Sequence, residues 1–361
     1  MKVDFYSTKK FPDWLKEDYL HAFEKTLRED NLIEGSSCRI FENQFSSYLG
    51  TSYVLGVGNG FDALRISLLA LGVGRGDRVA VPSHTFIATW FAIQSVGAIP
   101  IGIDVTEDGQ MDLNLLEQEK NISCVIPVHM HGTHCDMKRL TDWANLWKIR
   151  VVEDCAQAAG LTIQGKKAGT WGDVGAYSFY PTKNLFALGD GGAICTNNPD
   201  VFEAARSISR YGSKMDDKYS HHRQGQNSRL DTIQAAFLQI NLQHLDRWND
   251  LRLKIVDSYN ERLEHFRTNL AESQTSIAHH YVVKLENRKE VRAHLADKGI
   301  ATEMHYPKLA ALEVDPTQSQ RFPIGLKLSD SGLSLPISPW QSEDETEYVL
   351  KTLVRILHVS K

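Results

Sequence analysis

Between Tyr53 and Thr196 the chain repeats one pattern: a short apolar run, then a longer stretch with helical spacing. The apolar runs fall at 53–57, 78–82, 99–103, 123–128, 150–154, 174–179 and 192–196. Helical stretches fall near 86–96, 136–147 and 199–210, and one opened by Gly58-Asn59-Gly60 places Ala63, Leu64, Ile66, Leu68 and Leu69 on a buried face. Strands alternating with helices imply an α/β fold, a largely parallel sheet covered on both faces. Ahead of this block, 13–29 reads as a helix and Gly35-Ser36-Ser37 breaks the pattern. Behind it, Leu230 to about Phe266 is mostly helical, which suits a long connector. Residues 279–361 read as a smaller α/β domain: strand His280–Leu285, helix Arg288–Lys298 and a closing helix from Glu343 to about His358. The stretch 305–342 carries most of the late prolines and reads as irregular. The expected division is 1–245 for the larger domain and 246–361 for the smaller, and 361 residues are enough for two cores.

In an open sheet of this kind, ligands sit beyond the carboxyl ends of the strands. Two side chains there carry chemistry. Asp154 closes the run Val151-Val152-Glu153-Asp154. Lys183 lies in Ser178-Phe179-Tyr180-Pro181-Thr182-Lys183-Asn184, ahead of Gly189-Asp190-Gly191-Gly192. A carboxylate at a strand end and a lysine in the next Gly/Ser-rich turn are the two protein groups that pyridoxal phosphate needs. The amine binds its carbonyl as a Schiff base, and the carboxylate keeps the pyridine nitrogen protonated. Asp154 alone reads equally as an acidic cap. The turn Asn59-Gly60-Phe61 opens a helix, and its backbone N–H groups suit a phosphate. Alone it is only a turn, with neither a G-x-G-x-x-G nor a P-loop pattern.

Other polar clusters have bland readings. His129, His131 and His134 alternate after a strand, which suits the lining of a polar pocket better than a metal site. His221-His222-Arg223 and Asn227-Ser228-Arg229 precede the long helix. They read either as a surface loop with Asn227 or Ser228 as cap, or as an anion-recognising cluster carrying His222 and Arg229. His305-Tyr306-Pro307 reads as a turn or as a pocket wall at the domain junction. A net charge of −5 gives no reason to expect nucleic acid. The five dispersed cysteines form no C-x-x-C and suit reduced thiols in the cytoplasm. Neither a signal core nor a membrane-length apolar run is evident.

The motifs together resemble the sugar aminotransferases of the DegT/DnrJ/EryC1/StrS family, fold-type I pyridoxal-phosphate enzymes. The carriers are Val57 to Leu64, Pro82 to Thr89, Glu153 to Gln157, Ser178 to Leu185, Gly189 to Gly192, Asn227 to Asp231 and His305 to Pro307, in family order. The resemblance implies that Lys183 binds the cofactor and shuttles the proton, and that Asp154 pairs with the ring nitrogen. It also implies that Gln157 touches the ring hydroxyl, that Phe86 stacks on the ring, and that Gly60, Phe61 and Ser178 hold the phosphate. Asn227 would reach the neighbouring subunit's phosphate in a homodimer with shared active sites. His305 and Tyr306 would border a nucleotide-linked keto sugar, aminated with glutamate. Asn59-Gly60-Phe61-Asp62 is more similar to the branch acting at C3 of a dTDP-linked 3-keto-6-deoxyhexose than to the C4 branch. A C4 aminotransferase and a non-catalytic regulator are the alternatives; a cofactor-free nucleotide-binding module is more remote. Two departures concern the sugar contacts: Lys308 to Glu313 lacks the family's usual Pro-x-His-x-Gln run, and His131 stands where an aromatic is common.

Overall fold

The computed structural model describes residues 1–214, 217, 219–263 and 276–359. Helix α1 spans Asp13–Thr26, and α2 spans Ser36–Leu49. The sequence reading placed a break at Gly35-Ser36-Ser37; these residues instead open α2. Glu29 supplies what the short side chains do not, accepting the Ser36 N–H at 2.8 Å from outside the helix. Helix α2 then buries Cys38, Phe41, Phe45 and Leu49 on one face.

The main block follows as β1 (Tyr53–Val57), α3 (Gly60–Ala70), β2 (Arg78–Pro82), α4 (Ile87–Ser95), β3 (Ile99–Ile103), α5 (Leu113–Leu116), β4 (Cys124–Val125), α6 (Met137–Trp147) and β5 (Arg150–Asp154). It continues with β6 (Thr162–Ile163), β7 (Lys166–Lys167), β8 (Val174–Ser178), β9 (Gly192–Thr196) and α7 (Pro199–Ser209). The sheet has seven strands in the order β1-β9-β8-β5-β4-β2-β3. Neighbours from β8 to β3 run parallel, and β9 alone runs against both β8 and β1. Expected strand 123–128 shortens to β4 because Pro127 cannot donate to the ladder. The chain still follows its neighbours, with Ile126 N–H donating to Ala80 at 2.8 Å and Asp154 N–H to the Pro127 carbonyl at 2.9 Å.

Helix α8 (Thr232–Leu263) passes from one core to another. Ala235, Leu238 and Leu245 pack with the sheet, whereas Ile255, Val256, Tyr259 and Leu263 pack in the C-terminal core. Expected helical residues 264–266 lie outside the described residues. The C-terminal part of the chain holds β10 (Tyr281–Lys284), α9 (Arg288–Asp297), α10 (Ala310–Val314), α11 (Pro323–Ser331), β11 (Gly332–Leu335) and α12 (Glu343–Val359), with Ala310, Ala311 and Phe322 packing back into the core beside α4. Thus 305–342 is not irregular. Pro323 sits in the first turn of α11, where a missing N–H is harmless, and β11 pairs antiparallel with β10. Val3 joins the C-terminal core by bridging to Ile300. None of the helices among the described residues is long and apolar enough to cross a membrane.

Candidate active site

The carboxyl edge of the sheet forms the floor of a cavity of about 330 Å³. Asp154 ends β5 there, 4% exposed. Its Oδ1 accepts the Ala156 N–H at 3.1 Å, and its Oδ2 accepts the Thr89 hydroxyl of α4 at 2.9 Å. Burial pushes the Asp154 carboxyl up; those two hydrogen bonds and the Lys183 cation pull it back. Lys183 faces the same cavity from the loop between β8 and β9. Both feet of that loop are tied: Phe179 N–H donates to Gly191 at 2.8 Å, and Ala187 N–H to Phe179 at 2.7 Å. Lys183 keeps some solvent exposure. Desolvation nevertheless lowers its pKa from 10.5 to about 8, against the opposing pull of Asp154.

The other end of the cavity is the N-terminus of α3. Asn59 caps it, its side chain accepting the Asp62 N–H at 2.8 Å. The Gly60 and Phe61 amides precede the first intrahelical bond, from Ala63 N–H to Asn59 at 3.1 Å. They point positive dipole ends at the cavity that Gly60, Phe61 and Ser178 line. The approach is close: a Cβ on Gly60 would stand 2.6 Å from the Ser178 Cβ, and one on Gly192 would stand 2.5 Å from the Asn59 carbonyl oxygen. Glycine at both positions lets β8, β9 and the α3 turn meet.

Aromatic and amide side chains form the walls. Phe86 and Tyr306 lie 5.4 Å apart between ring centroids. Gln157 donates from Nε2 to the Tyr306 hydroxyl at 3.1 Å and accepts the His131 N–H at 2.6 Å. His305 and His280 stack at 3.7 Å. His279 lies 2.7 Å from Asn184 Oδ1 through its Nδ1. Burial holds these histidines neutral: His305 falls to about 4, and His279 and His280 fall well below the usual range.

The fold thus brings together Gly60, Phe61, Phe86, Asp154, Gln157 and Ser178 with Lys183, His305 and Tyr306. Within one chain it leaves three expected residues elsewhere. Asn227 is exposed and bridges Arg210 through its backbone. Arg229 lines a separate cavity with Glu34 and Glu42. His222 is exposed beside the Ser220 hydroxyl, 3.1 Å away. Neither Asn227 nor Ser228 caps α8, which starts at Thr232; the Ser228 hydroxyl instead accepts the Gly58 N–H at 3.0 Å. The alternating histidines diverge. His129 meets Glu153 at 3.0 Å, His131 meets His280 at 3.2 Å, and His134 meets the Cys135 carbonyl at 2.6 Å.

Sequence reasoning gave no role to Thr89, one turn beyond Phe86, or to the His279-His280 pair at the head of β10. It also missed Glu153, which is fully buried and accepts the N–H groups of Gly169, Trp171 and Gly172 at 2.7–2.8 Å. Its place beside Asp154 was visible, but which face of β5 it occupies follows from strand alternation and packing.

Known proteins match nearly the whole chain. The model of the DegT/DnrJ/EryC1/StrS aminotransferase family matches residues 13–354. The erythromycin biosynthesis sensory transduction protein EryC1 of Saccharopolyspora erythraea is 38% identical, over 94% of this chain and 95% of its own length. The dTDP-3-amino-3,4,6-trideoxy-alpha-D-glucose transaminase of Streptomyces venezuelae is also 38% identical, over 94% and 92%. The crystal structure of S. venezuelae DesV in complex with a ketimine intermediate superimposes with a TM-score of 0.92 at 35% identity, covering 98% of each chain. With an acid–lysine pair at the sheet edge and a helix N-terminus opposite, the chain belongs to the DegT/DnrJ/EryC1/StrS aminotransferase family and is a pyridoxal-phosphate-dependent enzyme.

Proposed function

We propose that this enzyme transfers an amino group from glutamate to the C3 keto group of a dTDP-linked 3-keto-6-deoxyhexose. It would work in the cytoplasm as a homodimer with shared sites. The observation that carries the chemistry is the meeting of Asp154 and Lys183 in one cavity with the N-terminus of α3. The C3 position rests on Asn59-Gly60-Phe61-Asp62 and on the similarity to the S. venezuelae transaminase named above.

The residues fit pyridoxal phosphate. The Gly60 and Phe61 amides and the Ser178 hydroxyl form an anion cradle too tight for a Cβ at position 60. When bound, the cofactor supplies an electron sink for the pair left behind as the Cα–H bond of the donor breaks. Asp154 would pair with the ring nitrogen and keep a proton on it, Phe86 would cover a ring face, and the Gln157 amide would reach the ring hydroxyl. An amine with a pKa of about 8 exchanges readily between charged and neutral forms near neutral pH. Lys183 therefore takes the proton from the donor Cα and later gives one to the sugar carbon that receives nitrogen. His305 and Tyr306 border the sugar. Asn227 of the partner subunit completes the phosphate site, and its exposure on a single chain suits that role.

A regulatory role is the second reading, favoured by the name of the similar EryC1 protein. The complete set of Lys183, Asp154 and Gln157 around one cavity supports catalysis instead. One turnover with glutamate decides between them. Incubation with glutamate and a panel of dTDP- and UDP-linked keto sugars, with NMR of the product, tests the substrate. The 3-keto sugar is generated in the same tube by its isomerase. Nitrogen on C4 in the product overturns the C3 reading.

A further inference from the structure

A second cavity of about 450 Å³ adjoins the first. Thr182, His279, His280 and His305 line both. Its far wall carries Arg252 of α8 and Tyr6 of the N-terminal segment. Arg252 is 7% exposed, and its Nη1 is buried with no hydrogen-bond partner among the described residues. Its guanidinium forms no ion pair among the described residues. The Tyr6 hydroxyl is likewise buried and has no partner among the described residues. A permanently charged group left this way is strongly unfavourable unless an anion arrives to meet it. Among the described lining residues Arg252 is the one arginine or lysine. The three histidines beside it are held neutral by burial. The carboxylates on this wall are Asp4, paired with Lys2 at 3.0 Å, and Glu303. Such surroundings suit one singly charged carboxylate and repel a diphosphate.

We infer that Arg252, assisted by the Tyr6 hydroxyl, binds the side-chain carboxylate of the amino donor and so selects a dicarboxylic amino acid. The inference rests on the aminotransferase reading above. The donor's α-carboxylate must stay on the carbon that meets Lys183. What extends past His279 into the second cavity is the far end of its side chain. His279 lines both cavities, with Lys183 in the first and Arg252 in the second.

The test is the donor half-reaction of the cofactor-loaded enzyme, in which an amino acid and pyridoxal phosphate become an oxo acid and pyridoxamine phosphate. No sugar is needed, so a wrong sugar assignment leaves the measurement intact. Single-turnover absorbance changes give efficiencies for glutamate and alanine, and calorimetry gives the affinities of glutarate and dTDP. In Arg252→Gln, the glutamate-to-alanine ratio should fall about 100-fold, with a similar loss of glutarate affinity and unchanged dTDP binding. Arg252→Lys should recover part of both. Tyr6→Phe, which leaves the α8 packing alone, should lower the ratio roughly 3- to 10-fold. Equal losses for glutamate and alanine would mean that Arg252 does not read the donor's side chain and would overturn the inference. So would weakened dTDP binding with glutarate unaffected. If Arg252→Gln does not fold, an unchanged ratio in both Tyr6→Phe and Arg252→Lys overturns it.

Discussion

The Thr89 hydroxyl donates to Asp154 Oδ2 across 2.9 Å, tying the first turn of α4 to the end of β5. This bond favours the charged carboxylate in a place where burial disfavours it. In Thr89→Val the Asp154 carboxyl rises further. The acid limb of the pH–rate profile should move to higher pH, and kcat at neutral pH should drop roughly 10- to 100-fold. A profile that superimposes on the wild type shows that Asp154 does not depend on this hydroxyl.

Borohydride reduction of the loaded enzyme, followed by peptide mapping, should place the pyridoxyl group on Lys183. Lys183→Ala should keep the fold and lose transamination by about 10,000-fold, the upper range for removing a general base. Label on another lysine would refute the assignment.

The lowered amine pKa sets a pH window. In cofactor-free protein, capture of an aldehyde by Lys183 should have its midpoint near pH 8 rather than 10.5. Asp154→Asn removes the charge that raises this pKa, so the midpoint should move below 8. Between pH 8 and 10.5 the unfolded chain holds more protons at this lysine than the folded one. The site therefore adds stability as pH rises through that window, and Lys183→Met should flatten the slope in pH-dependent denaturation.

Gly60→Ala drives a methyl group into Ser178. Stability should fall by about 1–3 kcal/mol, and cofactor affinity by roughly tenfold or more, read by fluorescence titration. Retained affinity would remove the α3 N-terminus from the phosphate site.

Mixing Lys183→Ala with an impaired Asn227→Ala chain should form hybrid dimers in which one of the two sites is complete. Activity should return to a fraction of the wild-type level. No recovery, with subunit exchange verified by mass spectrometry, would mean that Asn227 does not act across subunits.

Much of the sheet was legible because β1, β2, β3, β5 and β9 each carry a short apolar stretch set off by turns or helical segments. Asp154 and Lys183 could be placed because strand ends and Gly-rich turns are local features. Helix α2 was hidden because its start depends on Glu29, a contact from outside the helix. Helix α11 and strand β11 were hidden because prolines that begin helices look in sequence like prolines that prevent them. Thr89 and Arg252 show no pattern of their own: one matters through a strand it meets in space, the other through a buried Nη1 that no described residue satisfies.

The reversal of β9 has a kinetic consequence. In a uniformly parallel sheet, the segment after β8 would leave toward a crossover helix. Here it returns through the loop 179–191, and the span carrying Lys183 is anchored where Phe179 N–H donates to Gly191. If Lys183 carries the cofactor as proposed, an amine that detaches and returns in each cycle would be held within a short, anchored span. Its effective molarity toward the reacting carbon stays high from one turnover to the next, so the return of the lysine need not limit the rate.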